Sequence, residues 1–241
     1  MISELEANSA EERIRGLRDI VASGSYGVGT FPVTEEVNNH VHTHYSFSPY
    51  SPTHAVFQAA AAGLQAVGSV DHDSIGAARE LAEAAAILGV GSTVGYELRV
   101  NFTGTAVEGK RLTNPDSDNL GYIVVHGVPH GKIDDVARFL GPIQRERNER
   151  NRRQVEALNR IIREKDITPL EFEQDVASLS LVREGGAITE RHILYALSLR
   201  MISLFGKGRA VVETLESRFG LALPGRIREY LLDPDNPHYP Y

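Results

Sequence analysis

The feature that most constrains this chain is an alternation that stops partway. Over the first ~130 residues, short apolar or extended runs alternate with segments whose apolar residues recur three and four apart. The runs are "EVNNHVHTHY", "LQAVGSV", "GVGSTVGYELRV" and "LGYIVVHGV". Between them, Ser51-Pro52-Thr53 has the chemistry of a helix start, and "IGAARELAEAAAIL" reads as a helix capped by Ser74 and stopped by Gly89. Such alternation favours parallel strands joined by crossover helices, as a layered sheet or a barrel. Residues 9–22 form a leading helix, with Ser9 and Glu12 in a capping-box pattern. "SGSYGVGTFP" follows as a connector; Phe31-Pro32, where a phosphate loop would need a helix, argues against that loop. From Ile133 to Tyr230 the strand signal disappears, and the longest helical stretch is expected to break at Gly141-Pro142. A boundary near residue 131 therefore divides an α/β part, 1–131 (1–30 being leading helix and linker), from a helical part, 132–241.

The chain has no cysteine, so a metal could be held only by nitrogen and oxygen ligands. A net charge of −7 disfavours nucleic acid as a partner. Residues 145–165 carry eight Lys and Arg, but Glu146–Arg150, Glu149–Arg153 and Glu156–Arg160 at i,i+4 fit a solvated helix. No apolar run approaches ~18 residues and the N-terminus lacks a signal layout, so a cytoplasmic protein with no membrane partner is expected, with a homo-oligomer left open.

Histidines and carboxylates gather where the apolar runs end. If residues 39–45 are one strand, His40, His42 and His44 share a face, because strand side chains alternate. Neutral imidazole suits zinc, iron and other divalent ions. "VGSVDHDS" ends a buried run in Asp71-His72, and in α/β folds sites gather at the carboxyl ends of strands. Glu97 is a lone carboxylate in "VGYELRV", costly to bury unless it is paired or bound to metal. His126 ends "YIVVHGV" in the same way. Each residue alone is more often structural; four runs in succession argue for a site.

"HVHTHYSFS", "SVDHDS", "GYE", "VVHG" and "ERHILYAL", in this order, resemble the PHP (polymerase and histidinol phosphatase) family, and most of all its stand-alone bacterial metal-dependent phosphoesterases. The resemblance implies a partial distorted (β/α)7 barrel with a helical insertion, and two or three divalent ions (zinc, manganese or iron) at one mouth. It implies metal ligands at His42, His44, His72, Glu97, His126 and His192, with His42, His44 and Glu97 central to catalysis. Asp71 would support the ligands from behind, Arg191 would hold substrate phosphate, His40 would be a flank and His130 an alternative to His126. Lys110 and Arg111 are further rim candidates, though a solvated loop suits them better. The implied partner is a small phosphorylated substrate, a nucleotide among the candidates. Some relatives have an acidic ligand just after the first motif; here only hydroxyls follow, then His54. The family also closes its site with a late Asp-x-His motif. This chain ends in "LLDPDNPHYPY", with Asp233, Asp235 and His238 but no such motif, and so reads as C-terminally truncated.

Two other functions stay open. A catalytically incomplete scaffold or binding module would explain the missing motif. An amidohydrolase-type metal hydrolase also uses His-x-His, but typically with a bridging lysine, and no lysine occurs between Met1 and Gly109.

Overall fold

The computed structural model describes residues 2–114, 117–236 and 239. The chain forms two compact units: residues 1–145 with 180–187, and residues 146–179 with 188–241.

The first unit is built on three parallel strands in the order β1 (Val37–Val41), β2 (Ala66–Ser69), β3 (Gly91–Val94). The central strand pairs on both sides, with Val37 opposite Ala66 and Ser69 opposite Val94. Its residues must therefore pack on both faces, which explains the unbroken apolar run. Gly68 belongs there because a Cβ would lie 2.4 Å from Thr93 Cγ2 and 3.0 Å from Asn39 Cα.

Helix α1 (Ala10–Ser23) starts at the Ser9–Glu12 capping box and ends on Gly24. Helix α2 (Pro52–Ala61) has Ser51 at its N-cap, accepting from the His54 N–H, and proline in its first turn. Helix α3 (Ala78–Leu88) ends on Gly89 at φ 70°. Ser74 does not cap it. Its hydroxyl donates instead to the carbonyl of Gly185, 2.6 Å away and 111 residues on. Leu17, Val56, Val67 and Leu81 are fully buried and join these helices to the sheet as one core.

The long run at 91–101 is two strands. At Gly95 the backbone passes so close to Val125 that a Cβ would sit 2.0 Å from its carbonyl oxygen. β3 stops there, and β4 (Tyr96–Asn101) leaves to pair with β5 (Leu120–Val125). That pairing is antiparallel, against the expectation of parallel strands. The cause is the connection: its 18 residues include no described helix, so it cannot serve as the usual crossover. Among the described residues the strands make two open sheets, not a closed barrel.

Helix α4 (Ile133–Arg163) is continuous through Pro142, so the expected Gly-Pro break is absent. It begins in the first unit and its later part belongs to the second. The second unit also contains α5 (Glu190–Phe205), α6 (Arg209–Ser217) and α7 (Gly225–Leu232). Buried amides tie its loops: Asn151 donates to the Ile188 carbonyl, and Asn159 both donates to and accepts from the Leu170 backbone. No described helix is long and apolar enough to cross a membrane.

A buried ion pair joins α1 to α3. Arg13 (2% exposed) donates to both oxygens of Glu80 (5% exposed), at 2.8 and 2.6 Å, and Thr53 adds two hydrogen bonds to the same carboxylate. Burial pushes the Glu80 carboxyl up, but the bonds from Arg13 and Thr53 outweigh it and hold the group below its ordinary value. Its stabilisation is then complete above the ordinary carboxylate range and is lost as pH falls through the lower folded value. Glu80→Ala strands a buried guanidinium and should cost about 3–5 kcal/mol in urea unfolding. Glu80→Gln should show a shallower loss of stability below pH ~4 than the parent chain.

Candidate metal centre

The first unit brings three ends together. The Val70 N–H donates to the Val41 carbonyl, the Glu97 N–H to the Asp71 carbonyl and the Asp73 N–H to the Glu97 carbonyl, around a parallel bridge of His72 with Glu97. The exit of β1, the exit of β2 and the start of β4 thus converge on Glu97, whose carboxylate is mostly buried.

Glu97 Oε2 is the meeting point. His42 Nε2 lies 3.3 Å from it, His40 Nε2 3.4 Å and His72 Nδ1 3.7 Å. His40 Nε2 and His42 Nε2 are themselves 3.3 Å apart. Hydrogen bonds can link these atoms in pairs. A cation can join all three: tetrahedral ligands about 2.1 Å from one ion stand about 3.4 Å apart. The donor set of two imidazoles and a carboxylate also suits a divalent ion.

The support behind His42 fits the same purpose. Asp71 is buried and accepts from the Thr43 N–H (2.7 Å), the Thr43 hydroxyl (2.7 Å) and the Ser46 hydroxyl (2.6 Å). Burial raises the Asp71 carboxyl, and these three bonds oppose the rise. With its proton committed to Asp71, Ser46 Oγ is left as an acceptor, 3.4 Å from His42 Nδ1. A proton on Nδ1 leaves the Nε2 lone pair directed at the triangle. His72 packs beside His42 with ring centroids 4.5 Å apart.

The other candidates are not in this triangle. β1 stops at Val41, and Thr43 caps a 3-10 turn at His44–Ser46, so the strand does not reach residue 45. His44 is the first residue of that turn and lies outside the strand. Its Nε2 is buried without a hydrogen-bond partner, and burial together with the Arg13 charge lowers its pKa to about 4. His40, a flank by family resemblance, is in the triangle. His126 follows β5 and is exposed, as is His130. His54 is buried against Glu6 at 2.6 Å. Lys110 and Arg111 are exposed in the β4–β5 loop, with Arg111 on Asp118 at 3.1 Å.

Arg191 and His192 belong to the second unit, in the first turn of α5. Arg191 is exposed; His192 is buried and accepts the Thr189 N–H at Nδ1, 3.0 Å away. Burial lowers the His192 pKa to about 4. Asp233 accepts from the Asp235 N–H in that unit, and His238 lies outside the described residues. Sequence reasoning missed the Thr43 and Ser46 hydroxyls, although Thr and Ser just after a strand are a signal for a capped turn.

No protein-family model matches the chain, and no curated protein is significantly similar to it. Solved structures do share its fold. One is a candidate metal-dependent phosphoesterase from Bifidobacterium adolescentis, 20% identical with a TM-score of 0.54, matched over 78% of this chain and 56% of that one. Another is an amidohydrolase from Chromobacterium violaceum with bound sulfate and no metal, 21% identical with a TM-score of 0.51, also at 78% and 56%. The chain thus spans little more than half of each neighbour. At this identity the likeness is one of fold: a mixed α/β unit with a parallel sheet.

Zinc titration against a competing chelator checks the centre. His40→Ala and His42→Ala should each weaken binding at least ~100-fold, and Ser46→Ala ~10-fold, since partners of ligands alone are worth 10–100-fold. His44→Ala should leave zinc affinity unchanged.

Proposed function

We propose that this chain carries the metal-holding part of a PHP-type metal-dependent phosphoesterase acting on a small phosphate ester. The observation that carries this reading is the triangle of His40 Nε2, His42 Nε2 and Glu97 Oε2, with edges of 3.3–3.4 Å. These residues would hold one divalent ion. His72, 3.7 Å from the same oxygen, would draw Glu97 toward a second. Zinc, manganese and iron all suit this donor set. When bound, such ions supply Lewis acidity toward phosphoryl oxygens and make water more acidic.

The chain's own residues do the rest. Glu97 brings the negative charge that two imidazoles lack. Asp71, through Ser46, orients His42, and the His72 ring packed on His42 fixes its tilt. The absence of cysteine and of a Gly-x-Ser-x-Gly elbow leaves no side-chain nucleophile of those types. Supporting context comes from the fold neighbour described as a metal-dependent phosphoesterase.

The amidohydrolase among the fold neighbours favours a second reading, hydrolysis of a C–N bond at the same centre. A binding module without turnover is a third. Hydrolysis by the full-length protein, assayed on phosphate monoesters and on amides with and without added divalent ion, separates them. The expected result is metal-dependent release of phosphate that Glu97→Gln reduces at least ~100-fold. Turnover of amides alone, or of neither class, would contradict the phosphoesterase reading.

A further inference from the structure

We propose that Arg99 is the oxyanion-binding residue of this site, placed on β4 to hold a phosphoryl group against the His40–His42–Glu97 triangle. Taking the anion as phosphate rests on the phosphoesterase reading; the placement of Arg99 does not.

Strand geometry sets the position of Arg99. Glu97 and Arg99 are two residues apart on β4, so their side chains leave the same face. Leu98, between them, packs toward the core on the other face. The antiparallel register sets Arg99 opposite Tyr122, and directly opposed residues share a face. Tyr122 has its ring 5.9 Å from that of His72, which fixes this face as the one turned toward the cluster. Glu97, Arg99 and Tyr122 therefore line one wall.

Arg99 is also chemically unfinished. Its Nε is buried and has no hydrogen-bond partner. Five other arginines of the first unit have carboxylate partners: Arg13 with Glu80, Arg18 with Glu83, Arg79 with Asp134, Arg111 with Asp118 and Arg138 with Asp135. A buried N–H left unmade carries a desolvation penalty, and such groups in a folded protein call for an absent partner. The partner that suits a guanidinium is a planar or tetrahedral oxyanion, taken by two parallel N–H···O bonds. Two residues of extended strand separate Glu97 from Arg99, about 6.7 Å. A tetrahedral phosphate can bridge that span, with one oxygen toward the triangle and others toward the guanidinium. Arg99 would then act as a positioning and specificity residue, selecting anionic over neutral esters, and Tyr122 would form the wall beside it.

The test is calorimetric titration of inorganic phosphate into the zinc-loaded full-length protein and its Arg99→Met and Arg99→Lys variants, with zinc content measured on the same samples. Arg99→Met should raise the phosphate Kd by about 10- to 100-fold, the range expected for loss of charged hydrogen bonds. Arg99→Lys should fall between, keeping the charge but losing the fork, and zinc content should be the same in all three. Phosphate binding by Arg99→Met as tight as wild type would overturn the proposal. So would a wild type that holds zinc but binds no phosphate, or an Arg99→Met protein that loses its zinc. A wild type that takes up no zinc contradicts the metal reading instead. The phosphate comparison on zinc-free protein then decides Arg99 by the same criterion.

Discussion

The arrangement of the centre depends on one buried carboxylate. Asp71 lies two residues past the end of the central parallel strand and takes three hydrogen bonds from the segment that leaves β1, two from Thr43 and one from Ser46. Ionised and without these donors, it would be an isolated charge in an apolar core, at a cost of several kcal/mol. With them, the exit of β1 is pinned to the exit of β2. The pin also sets the path of the next few residues: Thr43 turns the chain out of the strand, and Ser46 comes to face His42. His40 and His42, the last histidines before the turn, are left directed at Glu97, while His44 is carried into the turn.

Glu97 is supplied from the other side by a second constraint, the close backbone approach at Gly95. That contact ends β3 and redirects the chain into β4. The rotated strand presents Glu97 and Arg99 on one face and commits Tyr96 and Leu98 to the core. A side chain at residue 95 would collide with the Val125 carbonyl and move the carboxylate away from its imidazoles. The hairpin thus contributes both to the triangle and to the wall beside it.

Much of the fold was legible because local rules decide it. The Ser9–Glu12 box, the Ser51-Pro52 start and the Gly89 stop all depend on neighbours within a few residues, and all are present. What was not legible depends on distant partners. Ser74 has the chemistry of a cap, but Gly185 takes its hydroxyl. The period of "HVHTH" implies one face for His40, His42 and His44, but it cannot say where the strand ends, and only His40 and His42 meet at Glu97. The end is set by Asp71, 28 residues downstream of Thr43, and so His40 rather than His44 stands beside His42. The antiparallel β4–β5 pair could have been anticipated, since the segment between those runs shows no helical period. Arg99 gave no signal, because an arginine in a strand is ordinary until its neighbours are known.

His40, His42 and Glu97 are proposed as the ligand face of a divalent-metal site. Anomalous diffraction at the zinc edge, from crystals of the full-length protein grown with zinc, tests it most directly. The expected result is a peak bonded to His40 Nε2, His42 Nε2 and Glu97 at about 2.1 Å. A peak bonded to His44 without His40, or no peak at Glu97, would contradict it.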